Sequence, residues 1–326
     1  MLPNGEVLLC GGYGVALDQL PEVYNPVDGI FRTTKAAATN QYFCTATLLK
    51  NGKVLLSGVD GNELYDPATE SFSLVGTSVH PRFRATAVLL QDGKVLICGG
   101  ADPNVEVITG EGTVNAEIYD PAMGTFTSTG SMVYPRINQT ATLLANGKVL
   151  IVGGISAATP GANYHVAELY DPSSGRFSVT GSLALDSYPQ NMATLLPNGK
   201  VLVLEHSSRI EGGRFVSEIV MGKTFDPDTE TFSKVGEATA YEKYSWDMDQ
   251  TSTLLSNGWI LLTGVGVLKD EFVYALLYNP LTGIFKRTGA MIVNRSGATA
   301  TRLSSGKVLI VSGLSAELYD ADVFVQ

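Results

Sequence analysis

A glycine followed by an aliphatic strand recurs seven times along the chain, at Gly5, Gly52, Gly93, Gly147, Gly199, Gly258 and Gly306. One copy reads Asn51-Gly52-Lys53-Val54-Leu55 and another reads Ser305-Gly306-Lys307-Val308-Leu309. Successive copies are 47, 41, 54, 52, 59 and 48 residues apart. A period of about 50 residues marks an array of supersecondary units, none of which can bury its apolar face alone. The phrase never stops and no linker composition interrupts it. The chain therefore reads as one domain, 1–326, although length by itself suggests two.

The copy around Gly147 displays the unit. Thr140 to Leu144 is a short β-rich run, and Asn146-Gly147 is a hairpin signal of the type I′ kind. Val149 to Val152 is a continuous apolar run of strand length, expected for a strand covered on both faces. Gly153-Gly154 ends it. After a variable segment, Ala167 to Tyr170 makes a third strand, Asp171-Pro172 a tight turn and Arg176 to Ser178 a short fourth strand. An aromatic follows the turn at a constant step of seven residues: Tyr24 and Phe31, Tyr65 and Phe72, Tyr119 and Phe126, Tyr170 and Phe177, Phe225 and Phe232, Tyr278 and Phe285. Such regularity predicts a core contact. Four-stranded antiparallel sheets stacked around an axis satisfy all of this and leave few long edges.

The glycine pairs (Gly11-Gly12, Gly99-Gly100, Gly153-Gly154), the Tyr-Asp-Pro turns (Tyr65-Asp66-Pro67, Tyr119-Asp120-Pro121, Tyr170-Asp171-Pro172) and the spaced aromatic together resemble Kelch repeats of the galactose-oxidase-like β-propeller superfamily. The resemblance covers essentially the whole chain and implies an all-β, seven-bladed propeller of four-stranded antiparallel blades. Its ends are ragged. Repeat 1 lacks a first strand, and Met1-Leu2-Pro3-Asn4-Gly5 looks like the tail of a strand begun upstream. Repeat 7 has Asp320-Ala321-Asp322 in place of the usual turn, with Val323 to Gln326 left for a fourth strand. An incomplete blade at the chain ends is expected.

Composition narrows the function classes. A net charge of −10 and a pI near 4.8 argue against a nucleic-acid surface. No apolar run reaches membrane-spanning length. Cys10, Cys44 and Cys98 form no CxxC pair, and Cys10 and Cys98 hold equivalent places on apolar strands, which reads as buried free thiols. The histidines, His80, His165 and His206, fall in different repeats. The copper site of galactose oxidase needs two histidines, tyrosines and a Tyr-Cys crosslink, and no matching set is visible. No metal or cofactor is therefore expected.

The expected site lies where loops vary. The resemblance implies that the connections between strands two and three share a face with the links between blades, and variable loops on a rigid scaffold make a site. From blade glycine to third-strand aromatic the lengths are 19, 13, 26, 23, 26, 20 and 13 residues, so repeats 3, 4 and 5 raise one wall. Eleven residues before each later glycine stand Gln41, Arg82, Arg136, Tyr188, Asp247 and Arg295. Two residues on, on the same side by strand alternation, come Phe43, Arg84, Asn138, Gln190, Asp249 and Gly297. The resemblance implies that the first strand is innermost, so these residues should ring the central mouth, and that arginine at the first of the positions can bind acidic ligands. Converging guanidiniums would focus attraction for an anion. The alternative is that each arginine bonds loop carbonyls and fixes the path into its blade.

Repeats 5 and 6 depart most. Glu205-His206 replaces the glycine pair, and Tyr241 to Asp249 contributes Trp246, Asp247 and Asp249 to a longer segment. Aromatics beside carboxylates suit a sugar site. Two readings stay open. One is a binding module that takes an anionic glycan or peptide through Arg82, Arg84, Arg136, Arg295, Gln41, Asn138, Gln190, Trp246 and Asp249. The other is a carbohydrate-active lyase, epimerase or hydrolase on an acidic sugar, in which Glu205, His206, Asp247 or Tyr188 moves the proton. Convergence of Glu205, His206 and Asp247 near the arginines would favour the enzyme, and burial of Glu205 in a salt bridge would favour binding. A monomer, extracellular or associated with the cell envelope, is expected in either case.

Overall fold

The computed structural model describes residues 1–11, 20–39, 41, 43–102, 112–155, 165–183, 188–211, 214–240, 251–269, 272–291, 298–312 and 315–320. All its elements are β-strands, gathered into seven antiparallel sheets of three or four strands, the blades of a β-propeller. The chain falls into two compact units, Met1–Val179 and Thr180–Gln326.

In the first unit, blade 1 has three strands (Val7–Leu9, Glu22–Asn25, Ile30–Thr33). Blade 2 (Thr45–Leu48, Val54–Ser57, Asn62–Asp66, Ser71–Leu74), blade 3 (Thr86–Leu89, Val95–Cys98, Ala116–Asp120, Thr125–Ser128) and blade 4 (Thr140–Leu143, Val149–Val152, Val166–Asp171, Arg176–Ser182) have four. In the second unit, blade 5 (Tyr188–Leu195, Val201–Glu211, Arg214–Asp226, Thr231–Ala240) and blade 6 (Thr251–Leu254, Ile260–Lys269, Phe272–Asn279, Ile284–Met291) have four. Blade 7 shows three (Thr299–Arg302, Val308–Ser312, Ser315–Tyr319), and the expected fourth, 323–326, lies outside the described residues.

The second strands of blades 3 and 4 are apolar throughout because both their faces are covered. Val95 and Ile97 join Leu49, Leu55, Tyr119 and Phe126, whereas Leu96 and Cys98 join Val149, Ile151 and Tyr170 of blade 4. One strand thus alternates between two inter-blade cores. The seven-residue aromatic step is a cross-strand pair: Tyr119 is in register with Phe126, and the rings lie 4.8 Å apart and tilted. Five more blades repeat it at 4.7 to 5.0 Å.

The hairpin between strands one and two differs from the type I′ turn expected of Asn-Gly. Gly52 N–H donates to the Leu49 carbonyl at 3.0 Å, Leu49 N–H donates to the Lys53 carbonyl at 2.8 Å, and only the glycine has positive φ, +83°. This is a three-residue loop, a type I turn closed by a left-handed glycine. Asn51 accepts the Lys53 N–H on its side-chain oxygen at 3.1 Å, so it stays right-handed. The Asp-Pro turns lie at the same end of the blade. Lys53 meets Asp66 at 3.0 Å, Lys94 meets Asp120 at 3.1 Å and Lys200 meets Asp226 at 2.9 Å.

The opposite end varies. In blades 3 and 4 the glycine pair stops strand two because neighbouring backbone presses on it. A Cβ on Gly99 would sit 2.8 Å from the Arg136 carbonyl oxygen, and one on Gly154 would sit 2.7 Å from that of Ile137. Blade 5 has Glu205-His206 there, and its second and third strands run on as a ribbon to the Glu211–Arg214 pair. The seven residues beyond Leu204 extend about 23 Å at strand pitch. Blade 6 also runs on, to Lys269 paired with Phe272.

Candidate functional site

The first strands of adjacent blades lie side by side within each unit, so the residues leading into them gather at the inner end of the blades. In blades 2, 3 and 4 a buried glutamate organises this lead-in. Glu63, Glu117 and Glu168, two residues before the third-strand tyrosine, are each 0% exposed. A carboxylate withdrawn from water requires donors, and the lead-in chain of the same repeat supplies them. Glu63 accepts the Ala38 N–H at 2.7 Å and the Thr39 hydroxyl at 2.7 Å. Glu117 accepts the Val79 N–H at 2.8 Å. Glu168 accepts the N–H groups of Val133 and Tyr134 at 2.7 and 3.2 Å.

The next donor in each case is the residue that the sequence sent to a channel mouth. Gln41 Nε2 donates to Glu63 at 2.5 Å. Arg82 Nη2 donates to Glu117 and Arg136 Nε to Glu168, both at 3.3 Å. The remaining guanidinium donors go to carbonyls. Arg82 reaches His80, Asn115 and Gly99 at 2.8, 2.6 and 3.3 Å. Arg136 reaches Gly153 at 2.6 Å and also Val166. Arg82 is 4% exposed and Arg136 0%. Burial pulls both guanidinium pKa values down, and the facing glutamates push them back up. These side chains turn into their own blades and hold the lead-in chain, the alternative that the sequence left open.

The second row departs from strand alternation. Phe43, Arg84 and Asn138 have φ of +47°, +55° and +56°, and the first strands start only at Thr45, Thr86 and Thr140. A left-handed residue breaks the period of two, so these residues are not one more step on the face of Gln41, Arg82 and Arg136. They meet one another across blades. The Arg84 guanidinium lies 4.5 Å from the centre of the Phe43 ring, and the Asn138 N–H donates to the Arg84 carbonyl at 3.2 Å. Arg84 stays half-buried and, among the described residues, forms no salt bridge.

An open cleft of about 200 Å³ lies on blade 3, lined by Val79, His80, Pro81, Arg82, Asp102, Thr113 and Asn115. It offers imidazole, carboxylate, hydroxyl and amide groups on a floor whose arginine is already bound from beneath. His80 was not among the site residues expected from sequence. Its only signal was its place before Pro81-Arg82, in a lead-in segment.

Blade 5 inverts the charge arrangement. Lys223 stands where the other blades carry glutamate, and the carboxylate comes from strand two. Glu205 is 0% exposed, with Oε1 3.0 Å from Lys223 Nζ. The contact is ionic without hydrogen-bond alignment, and among the described residues neither carboxylate oxygen has a hydrogen bond. Tyr188 and His206 are register partners on strands one and two. The side chains of Tyr188, Gln190 and His206, and the residues Trp246, Asp247, Asp249 and Arg295 entirely, lie outside the described residues. The convergence of Glu205, His206 and Asp247 that would favour an enzyme therefore falls partly outside the described residues.

Neither a family model nor a curated sequence matches the chain. Among solved structures it is similar to a fungal alcohol oxidase of the AA5 family in complex with copper, with a TM-score of 0.67 and 15% identity, over 94% of this chain and 67% of that one. Likeness at this identity carries the fold and not the chemistry. The described residues do not fit that metal. Among the described residues no group of three His, Cys, Asp or Glu side chains gathers, and the chain's histidines fall in three different blades. In fold, the chain is a seven-bladed β-propeller.

Proposed function

We propose that this propeller is a non-catalytic binding module for a polar, acidic glycan, taken at the end of the blades that carries the connections between strands two and three. The observation behind this reading is that the charged groups an axial enzyme would use are spent inside the blades: Arg82 on Glu117, Arg136 on Glu168 and Glu205 on Lys223. Among the described residues, the blade 3 cleft, with His80, Asp102 and Thr113, is half-buried or exposed, as is Arg84 of the same blade. Its size suits about one sugar ring, small beside typical ligand pockets. Hydroxyls would pair with the cleft's polar groups, and a carboxylate would pair with Arg84. An extracellular or envelope location accords with such a ligand.

The test is a thermal-shift screen against acidic oligosaccharides, neutral oligosaccharides and acidic peptides, with Arg84→Ala and His80→Ala beside the native chain. A ligand at 100 times its Kd stabilises by about 2.7 kcal/mol. An acidic oligosaccharide should raise the midpoint, and each variant should lose that rise while keeping its unliganded midpoint. A shift with peptides alone would replace glycan by peptide. No shift with any class would reject the binding reading. Turnover of the bound sugar would establish the lyase, epimerase or hydrolase reading instead.

A further inference from the structure

Two of the cysteines come together across a blade boundary. Cys10 directly follows Val7–Leu9 of blade 1, the counterpart of strand two in the other blades, and Cys44 directly precedes strand one of blade 2. Both side chains pack against one apolar cluster of Leu2, Val23, Val54, Leu56 and Tyr65. The chain segments that carry them are pressed close. A Cβ on Gly11, next to Cys10, would sit 2.5 Å from the Gln41 carbonyl oxygen and 3.2 Å from Cys44 Sγ. Only glycine fits there, and its φ is +76°. Both cysteines are half-buried and remain within reach of small solutes, whereas Cys98 is 0% exposed.

We propose that Cys10 and Cys44 are a disulfide-forming pair that staples blade 1 to blade 2. The staple would join blade 1, three-stranded among the described residues, to blade 2, with which it shares a core. The oxidant is a small-molecule disulfide of the glutathione class. The Cys44 thiolate attacks one sulfur of the oxidant, forming a mixed disulfide and releasing one thiol. Cys10 then gives up its proton to solvent and attacks Cys44 Sγ, expelling the second thiol. Two protein thiols are oxidised and one disulfide is reduced to two thiols, so atoms and electrons balance. A hydrogen bond to the Cys44 thiol, then burial, holds the Cys10 pKa well above the usual thiol value, which accords with Cys10 acting second. Secretory and extracellular surroundings supply such oxidants, and the reduced cytosol does not.

The experiment equilibrates the full chain in glutathione buffers from reduced to oxidised, then quenches with an alkylating agent under denaturing conditions. Free thiols should fall from the three of the reduced chain to one, Cys98. Peptide mapping without reductant should recover Cys10 joined to Cys44. The oxidised chain should melt about 5 °C higher, since the bond closes a long loop in the unfolded chain, and reductant should reverse the gain. Cys98→Ser should keep all of this, and Cys44→Ser should lose it. Three free thiols at every buffer ratio would overturn the proposal. So would glutathione adducts on Cys10 or Cys44 without closure, or a crosslink that includes Cys98. The native chain and Cys98→Ser decide the matter even if Cys44→Ser fails to fold.

Discussion

Replacing Arg136 by alanine should be among the most damaging single changes to the first unit. The guanidinium is fully buried and serves three partners: the buried Glu168 carboxylate and the carbonyls of Gly153 and Val166. Removal leaves a carboxylate with backbone N–H donors and no cation, which costs about 4 kcal/mol when a buried pair loses one member. Two carbonyls deprived of a donor add about 1 kcal/mol more, because water cannot reach them without opening the blade. With a urea slope of about 3 kcal/mol/M, a loss of about 5 kcal/mol moves the midpoint down by about 1.7 M. Urea titration followed by far-UV circular dichroism reads this directly. The double variant Arg136→Met with Glu168→Gln removes both charges, and should be less destabilised than the sum of the single changes by about 2 kcal/mol or more. A midpoint shift under about 0.3 M for Arg136→Ala, or strict additivity in the cycle, would refute the view that the arginine is spent on the blade.

Three further outcomes follow from the same geometry. Gly130→Ala should cost about 2–3 kcal/mol in the same titration, since its Cβ would lie 2.3 Å from the Gly175 carbonyl oxygen, while Ser131→Ala, on an exposed neighbour, should be silent. Tyr119→Phe should be neutral or slightly stabilising, because its hydroxyl is buried without a hydrogen bond among the described residues and blade 5 carries Phe225 at the equivalent place; Tyr170→Phe should cost about 1 kcal/mol through loss of the 2.9 Å bond to Thr129. Side-chain hydrogen bonds from Lys53, Lys94 and Lys200 hold Asp66, Asp120 and Asp226 below the ordinary value of 3.8, so their contribution is complete above that value and lost as pH falls through the lower folded one. The melting temperature should accordingly fall in acid below about pH 4, and replacing the three lysines by glutamine should flatten that fall.

The fold was legible because its signals are dictated locally and repeated. A left-handed glycine after each first strand, an apolar second strand and a cross-strand aromatic pair cannot easily serve another architecture. The site was less legible for two reasons. Arg82 and Arg136 were read by position alone, yet their partners Glu117 and Glu168 recur at an equally fixed place, two residues before the third-strand tyrosine. Aligning both rows would have shown the pairing, and the swap in blade 5, where Lys223 faces Glu205, follows from it. Phe43, Arg84 and Asn138 were placed by alternation, which holds only for extended backbone. Non-glycine residues with positive φ give little sequence warning, although Gly297 at the same repeat position was a hint. The long ribbon of blade 5 was foreshadowed by the missing glycine pair at Glu205-His206.

The ion pairs in the lead-ins of blades 3 and 4 have a consequence for how such a chain can be rebuilt. Glu117 and Arg82 belong to one repeat, as do Glu168 and Arg136. A repeat that is duplicated, exchanged or grafted therefore carries its charge compensation with it, provided the cut falls before the lead-in rather than after it. A seam between Leu74 and Ser78, or between Ser128 and Met132, keeps each buried pair intact, whereas a seam just before the first strand would strand a buried carboxylate in one parent and a buried guanidinium in the other.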